Sequence, residues 1–203
     1  MKIIRQCVGA MQVNCYILCQ SGHAVVIDPG ADAFWILNHL QEQNVVLDAI
    51  LLTHGHFDHI GALDELREKT GAKAGIHVLD EDMLGDPKAN LSAYMSAPVS
   101  VKPADFVLRD GDVLTYHELE LRVLHTPGHS PGGVCFVCGD ALFTGDTLFQ
   151  LSVGRSDFPS SDPAALDHSV REVISKLKGD YTVYPGHGPQ STLAFEKENN
   201  PYL

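Results

Sequence analysis

Four times along this chain a short apolar run ends in a glycine-containing turn that carries histidine or aspartate. Ala49-Ile50-Leu51-Leu52 leads into Thr53-His54-Gly55-His56-Phe57-Asp58-His59. The other three turns are Thr126-Pro127-Gly128-His129-Ser130, Phe143-Thr144-Gly145-Asp146-Thr147 and Tyr184-Pro185-Gly186-His187-Gly188. Packing offers no reason to place three imidazoles and a carboxylate within six residues, whereas zinc and iron accept neutral imidazole and carboxylate as ligands. Glycine in each turn lets the backbone come close to an ion. Strand ends are where open sheets present functional groups, and all four turns stand at such ends. If they converge, His54, His56, Asp58, His59, His129, Asp146 and His187 meet.

Between these turns, strand and helix patterns alternate. Residues 2–8, 13–19 and 23–28 read as strands, the last two joined by Ser21-Gly22. Asp32 is placed to cap a helix whose apolar face is Ile36, Leu37 and Leu40. Residues 47–52 form a short strand, Ile60, Leu63 and Leu66 mark one helix closed by Gly71, and 74–78 is a further strand. The stretch 80–104, broken by Gly85, Pro87, Pro98 and Pro103, predicts a short helix and an irregular crossover. Strands resume at 112–116, 119–124, 133–138 and 141–144, the last pair joined by the hairpin turn Gly139-Asp140. Asp162 caps and Pro163 begins a helix with Leu166, Val170, Val173, Ile174 and Leu177 on one face, ended by Gly179. A strand at 181–184 and a helix from about residue 190 close the chain. Each half runs strands first and helices after. This predicts an α/β (α+β) protein with two similar halves packed sheet to sheet, helices outside, as one domain over 1–203.

At 203 residues and 44% hydrophobic content, the chain buries a core without staples. Its formal charge of −12, with no Lys/Arg cluster, argues against nucleic acid as a partner. No apolar run approaches the roughly 20 residues of a membrane helix. Gly9, Gln12 and Asn14 interrupt the stretch where a signal-peptide core would lie, so a cytoplasmic location is the default expectation. Cys135 and Cys138 form a C-x-x-C inside a strand-like run, where residues three apart face opposite sides. They read as buried strand cysteines, as do Cys7, Cys15 and Cys19.

The H-x-H-x-D-H cluster at 54–59, followed in order by His129, Asp146 and His187, resembles the metallo-β-lactamase superfamily, and the matching elements span most of the chain. The resemblance implies an αββα four-layer sandwich around two adjacent divalent metals, zinc being expected and iron or manganese the alternatives. Carried over by position, His54, His56 and His129 would hold the first metal; Asp58, His59 and His187 would hold the second; Asp146 would bridge them. Asp28, at the end of Val-Val-Ile-Asp-Pro-Gly, would orient the cluster loop from behind, its other reading being a plain turn aspartate. A dinuclear site lowers the pKa of bound water toward about 7, so no serine or cysteine nucleophile is required. Asp58 would orient that water or take its proton, besides binding metal.

Details narrow the activity. Flavin-associated di-iron oxidoreductases of this fold usually carry glutamate where His56 stands, and β-lactamases of this fold lack the bridging aspartate, so His56 and Asp146 count against both. Residues 143–149 look like the glyoxalase II segment around that aspartate, in enzymes that hydrolyse S-lactoylglutathione. Gly154-Arg155-Ser156-Asp157-Phe158-Pro159 looks more like short bacterial glyoxalase II-like hydrolases, and also resembles persulfide dioxygenases. Hydrolysis of a small anionic thioester is the expected activity. The fuller glyoxalase II enzymes grip glutathione with a C-terminal helical domain; here 16 residues follow His187 (203 minus 187), which leaves the thiol carrier open. Arg155 is a candidate contact for an anionic substrate, or else the partner of Asp157 in a salt bridge. The alternative activity is a persulfide dioxygenase using one iron on His54, His129 and Asp146. A lactonase and a non-catalytic metal-binding module are further alternatives. His23, His39, His117 and His168 read as solvated; His77, His125, Tyr184, Tyr94 and Met95 are weighed as cleft-lining. The oligomeric state is not legible.

Overall fold

Strand alternation sorts the apolar side chains into three layers. In a computed structural model describing residues 1–203, one sheet contains β1 (Lys2–Val8), β2 (Val13–Gln20), β3 (His23–Ile27), β4 (Val46–Leu51), β5 (Lys73–His77) and β6 (Phe106–Leu108), in that order. β1 to β3 form an antiparallel meander, and β3 to β6 run parallel. Parallel neighbours need crossovers. α1 (Ala33–Glu42) supplies the first, and α2 (Phe57–Ile60) with α3 (Leu63–Thr70) the second.

The second sheet repeats the plan. It contains β7 (Val113–Tyr116), β8 (Leu119–His125), β9 (Val134–Cys138) and β10 (Ala141–Gly145) as antiparallel neighbours. After a short ribbon of β11 (Leu148–Phe149) and β12 (Ser152–Val153), the helix α4 (Pro163–His168) leads to β13 (Thr182–Pro185), which runs parallel to β10. β14 (Ser191–Thr192) and α5 (Leu193–Asn199) follow, and β14 and β7 are the edge strands of this sheet.

Cys15, Ile17, Val26 and Ile50 face Ile36, Leu40, Leu63 and Leu66 of α1 and α3. Their sequence neighbours Tyr16, Leu18, Val25 and Leu51 point the other way, against Leu121, Val123, Phe136 and Phe143 of the second sheet. On the far side of that sheet, Cys135, Leu142 and Val183 meet Ile174 and Leu193. Three apolar interfaces between helix, sheet, sheet and helix make the αββα sandwich. Each fully buried large aliphatic side chain contributes about 1.5–3 kcal/mol. Cys135 and Cys138 do fall on opposite faces. No helix is long and apolar enough to cross a membrane.

Four expectations need correction. Asp32 precedes α1 but has a left-handed backbone (φ 57°) and does not cap it; its carboxylate accepts from Gly9 N at 3.0 Å, tying down the β1–β2 turn. The helix expected at 60–71 is two pieces: Ala62 N leaves the helical pattern to donate to Pro29 O at 2.9 Å, and Gly61 lets the Gly30 carbonyl come close, 2.3 Å from where a Cβ would stand. The helix from Pro163 widens to a π turn at Ser169–Ile174, where Ser175 N donates to Val170 O; Leu166, Val170 and Ile174 are buried, Val173 and Leu177 only partly. Cys7 is exposed because β1 is an edge strand.

Candidate metal centre

The parallel pairing of β3 with β4, and of β10 with β13, brings their C-terminal ends to one edge of the sandwich. The two sheets are joined there by backbone bonds, Val134 N to Thr53 O at 2.8 Å and Asn14 N to Gly186 O at 2.7 Å. All seven expected ligand residues meet at this edge. The nitrogen atoms of His54, His56 and His129 form one triad, and Asp58, His59 and His187 form another, the ligand atoms in each lying within 4.8 Å of one another. Asp146 stands between them: Oδ2 is 3.4 Å from His129 Nε2 and 3.6 Å from His187 Nε2, and Oδ1 is 3.5 Å from His59 Nε2.

The outward-facing ring atoms fix which nitrogen faces the centre. Asp28, 1% exposed, accepts from Thr53 N at 2.7 Å, from Thr53 Oγ1 at 2.6 Å and from His59 Nδ1 at 3.0 Å. Thr53 Oγ1, having given its proton to Asp28, accepts from His54 Nδ1 at 3.1 Å. His129 Nδ1 donates to the Arg155 carbonyl at 2.8 Å. A carbonyl or carboxylate only accepts, and Thr53 has spent its proton on Asp28, so these three rings carry a proton on Nδ1 and turn Nε2 inward, where His56 Nδ1 lies 2.9 Å from His129 Nε2. Asp28 thus holds two histidines, one directly and one through Thr53.

His54 Nε2, His56 Nε2, His59 Nε2 and Asp146 Oδ1 are buried and have no hydrogen-bond partner. Each such orphan costs about 1–3 kcal/mol, and native structures rarely gather several in one place. Cations are what clustered imidazole and carboxylate lone pairs accept, the close pair of His56 Nδ1 and His129 Nε2 included, so the residues fit bound divalent metal. The electrostatics agree. Burial, with the neighbouring imidazoles, drives His54 well down and His56 to about 3, which keeps both rings neutral. Burial also pulls His59 down, but Asp28, Asp58 and Asp146 outweigh it and lift it to about 10. Burial would raise Asp58, yet His59, His187 and His56 hold it below the usual carboxylate range. His54 and His56 are thus held neutral, while the carboxylates around His59 favour a positive charge there, which a bound cation would supply in place of a proton. Gly186 is required at this spot, since a Cβ there would lie 2.2 Å from Asp146 Oδ1.

A cleft of about 250 Å³ opens onto the centre. His56, Asp58, His129, Asp146 and His187 form its polar floor, and Met11, Phe57, Leu91, Phe149 and Phe158 its apolar walls. Arg155 reaches the rim, but its Nε and Nη2 each bond Asp157 at 2.9 Å and its guanidinium sits 4.5 Å over Phe158. The salt bridge is therefore formed, and Arg155's backbone carbonyl also serves His129. His77 and His125 do not line the cleft: they stack on each other at 4.1 Å, with His125 Nε2 bonding Pro131 O. Tyr184 packs between Tyr16 and Phe143, and Tyr94 and Met95 lie outside the cleft wall, where Leu91 of the same crossover stands instead.

One supporting residue carries no sequence signal. Asp80 lies in the 3₁₀ segment Val78–Leu84 of the aperiodic stretch and is fully buried. Its carboxylate accepts from Gly55 N at 3.1 Å, Ser130 Oγ at 2.7 Å and Gly132 N at 2.5 Å, and burial raises its pKa. It ties the His54–His59 loop to the His129 loop, as Asp28 ties the first loop to β3.

Comparison with known proteins agrees with this geometry. The sequence profile of the metallo-beta-lactamase superfamily matches residues 8–187. A probable metallo-hydrolase of Bacillus subtilis, YqgX, is 37% identical over 100% of this chain and 98% of its own. Hydroxyacylglutathione hydrolase GloC of Haemophilus influenzae is 33% identical over 97% and 95%. Among solved structures, the B3 metallo-beta-lactamase BLEG-1 superposes with a TM-score of 0.95 at 38% identity, covering 100% and 99%. The di-iron-bound form of TTHA1623 gives 0.85 at 37%, covering 98% and 100%. With the fold, the two candidate ligand triads and relatives matched from end to end, the chain belongs to the metallo-β-lactamase superfamily.

Proposed function

We propose that this protein is a dinuclear-metal-dependent hydrolase that cleaves a small thioester in the manner of glyoxalase II. The observation that carries the hydrolase reading is the set of four orphaned buried ligand atoms at the floor of an apolar-walled cleft. The relation to GloC supports the thioester. His54, His56 and His129 would hold one ion, Asp58, His59 and His187 the other, and Asp146 both. Two divalent ions, zinc by expectation with iron or manganese as alternatives, supply a water acidified toward about pH 7 and a polarised acyl carbonyl.

The chain's own groups do the rest. Asp28 and Asp80 hold the two ligand loops in place. Asp58 Oδ2 is 3.4 Å from His187 Nε2, and its carboxylate also faces the cleft, where it orients the attacking water or takes its proton. Phe57, Phe149 and Phe158 receive the acyl group and exclude bulk water. Water oxygen bonds to the acyl carbon, the carbon–sulfur bond breaks, and the thiolate leaves without a strong acid, its pKa being about 8.5. The cleft lies below the roughly 300–1,000 Å³ of most ligand sites. It therefore takes the acyl end and leaves the thiol carrier on the rim near Arg155, whose remaining donors meet an anionic group.

A substrate panel tests this: S-lactoylglutathione, thioesters of other thiols, lactones, a β-lactam, and oxygen uptake on glutathione persulfide. Hydrolysis fastest on a thioester is the expected result. The likeness to BLEG-1 favours β-lactam hydrolysis as the second reading, and a β-lactam preferred over every thioester replaces the first.

A further inference from the structure

The opposite end of the sandwich carries a second histidine and aspartate cluster. His23 opens β3, Asp48 lies near the start of β4, and His117 sits in the turn joining β7 to β8. β3 and β4 run from here toward Asp28 and Thr53, and β8 runs toward the His129 loop, so a strand's length separates this cluster from the metal centre. His23 Nδ1 lies 3.2 and 3.0 Å from the two Asp48 oxygens, and His117 Nε2 lies 3.8 Å from Asp48 Oδ1. The rings are stacked, centroids 3.3 Å apart and planes 23° off parallel. One ligand atom from each residue lies within 4.8 Å of the others.

The cluster is built rather than accidental in placement. Glu118, next to His117, turns away to accept from Gln20 Nε2 at 3.0 Å and Ser21 Oγ at 2.7 Å. Those bonds lock the β2–β3 turn of one sheet onto the β7–β8 turn of the other, which sets His23 against His117. Reading these histidines as solvated is therefore incomplete: the side chains of His23 and Asp48 are only 27% and 18% exposed, while His117 keeps 54% and forms the open side. A His–Asp bond accounts for His23 alone. It does not account for a second imidazole whose nitrogen turns to the same carboxylate.

We propose that His23, Asp48 and His117 form an accessory site for a divalent transition-metal ion that clamps the two sheets at the end remote from the metal centre. Two imidazoles and one carboxylate suit zinc, nickel or copper and leave open positions for water. Magnesium and calcium, which take oxygen ligands, do not match this donor set. The chain's charge of −12 favours cation uptake generally. Because the ligands come from both sheets, an ion bound only by the folded form stabilises it by linkage.

The test is equilibrium dialysis of protein already carrying its resident metals against micromolar free zinc, read by elemental analysis and by thermal unfolding. Wild type is expected to hold one zinc per chain more than the double variant His23→Ala/His117→Asn, and to gain thermal stability that the double variant does not. Asparagine suits the left-handed backbone at position 117, φ 57°. Asp48→Asn is expected to weaken the extra site at least tenfold. Resident metal content stays unchanged in all three, which shows that they fold. Equal zinc content in wild type and double variant overturns the proposal, as does a zinc-induced stabilisation that the double variant retains.

Discussion

Asp80 offers a sharp trial of how the metal centre is held. Asparagine at this position keeps one acceptor and turns the other into an NH₂ group. Asp80 Oδ1 accepts from Gly132 N, and Oδ2 from Gly55 N and Ser130 Oγ. The amide therefore loses one charge-assisted bond outright and sets a donor against a donor. At roughly 1.5–3 kcal/mol for the lost bond to a charged group and about 1–3 kcal/mol for the buried donor left unpaired, less some relief from no longer burying a carboxylate, the expected loss of stability is about 2–4 kcal/mol. The consequence for metal is selective. Asp80 bonds the backbone between His54 and His56 and the residues just after His129; Asp58 and His59 follow on the first of these loops, but His59 is held by Asp28, and His187 lies on another loop. Loss of a group supporting metal ligands typically costs 10–100-fold in affinity. Chelator-competition titration of Asp80→Asn should show that loss for one ion and near wild-type affinity for the other, and urea unfolding should show the destabilisation. Asp82→Asn, two residues away and exposed, is the control and changes neither. An Asp80→Asn protein within twofold of wild type at both ions, and within about 0.5 kcal/mol in stability, refutes the reasoning.

Three further outcomes are expected. Gly186→Ala drives a methyl to 2.2 Å from Asp146 Oδ1, and a displacement of that order at a reacting centre costs on the order of 100-fold in turnover, measurable as kcat at saturating metal. Asp58→Ala lowers kcat by about 10²–10⁴ if the carboxylate handles the water's proton; full activity with both metals bound removes that role. His77 is held down to about 4 by burial and by His125, so between pH 4 and 6.5 the unfolded chain binds the extra proton. Its contribution to stability is whole above pH 6.5 and is lost as pH falls toward 4. Urea midpoints at pH 7 and pH 4.5 should thus differ less in His77→Gln than in wild type.

The candidate ligand residues were legible because each follows a strand in a glycine turn, a pattern that survives without tertiary information. Their partition into two triads around Asp146 came from family resemblance; no local rule assigns His59 and His187 to one ion. The two packed sheets followed from element order, strands before helices in each half, and the αββα sandwich from family resemblance; period-two alternation told only local facings, as for Cys135 and Cys138. What stayed hidden depends on tertiary contact. Asp80 lies in an aperiodic crossover, and its role exists only because Gly55, Ser130 and Gly132 converge on it. The Arg155 carbonyl that orients His129 is a backbone atom with no sequence signature. Asp32 looked like a cap, but the β1–β2 turn claimed its carboxylate. His23 and His117 lie 94 positions apart (117 minus 23), in turns that read as solvent-facing, and only the packing of the two sheets stacks them.

The central claim is that this centre works with two ions on a thioester. Metal-free protein titrated with zinc, manganese or iron(II), with S-lactoylglutathione hydrolysis followed at each step, tests it most directly. The account predicts activity that rises to a plateau at two ions per chain. One iron per chain, with oxygen uptake on a persulfide and no hydrolysis at any loading, contradicts it.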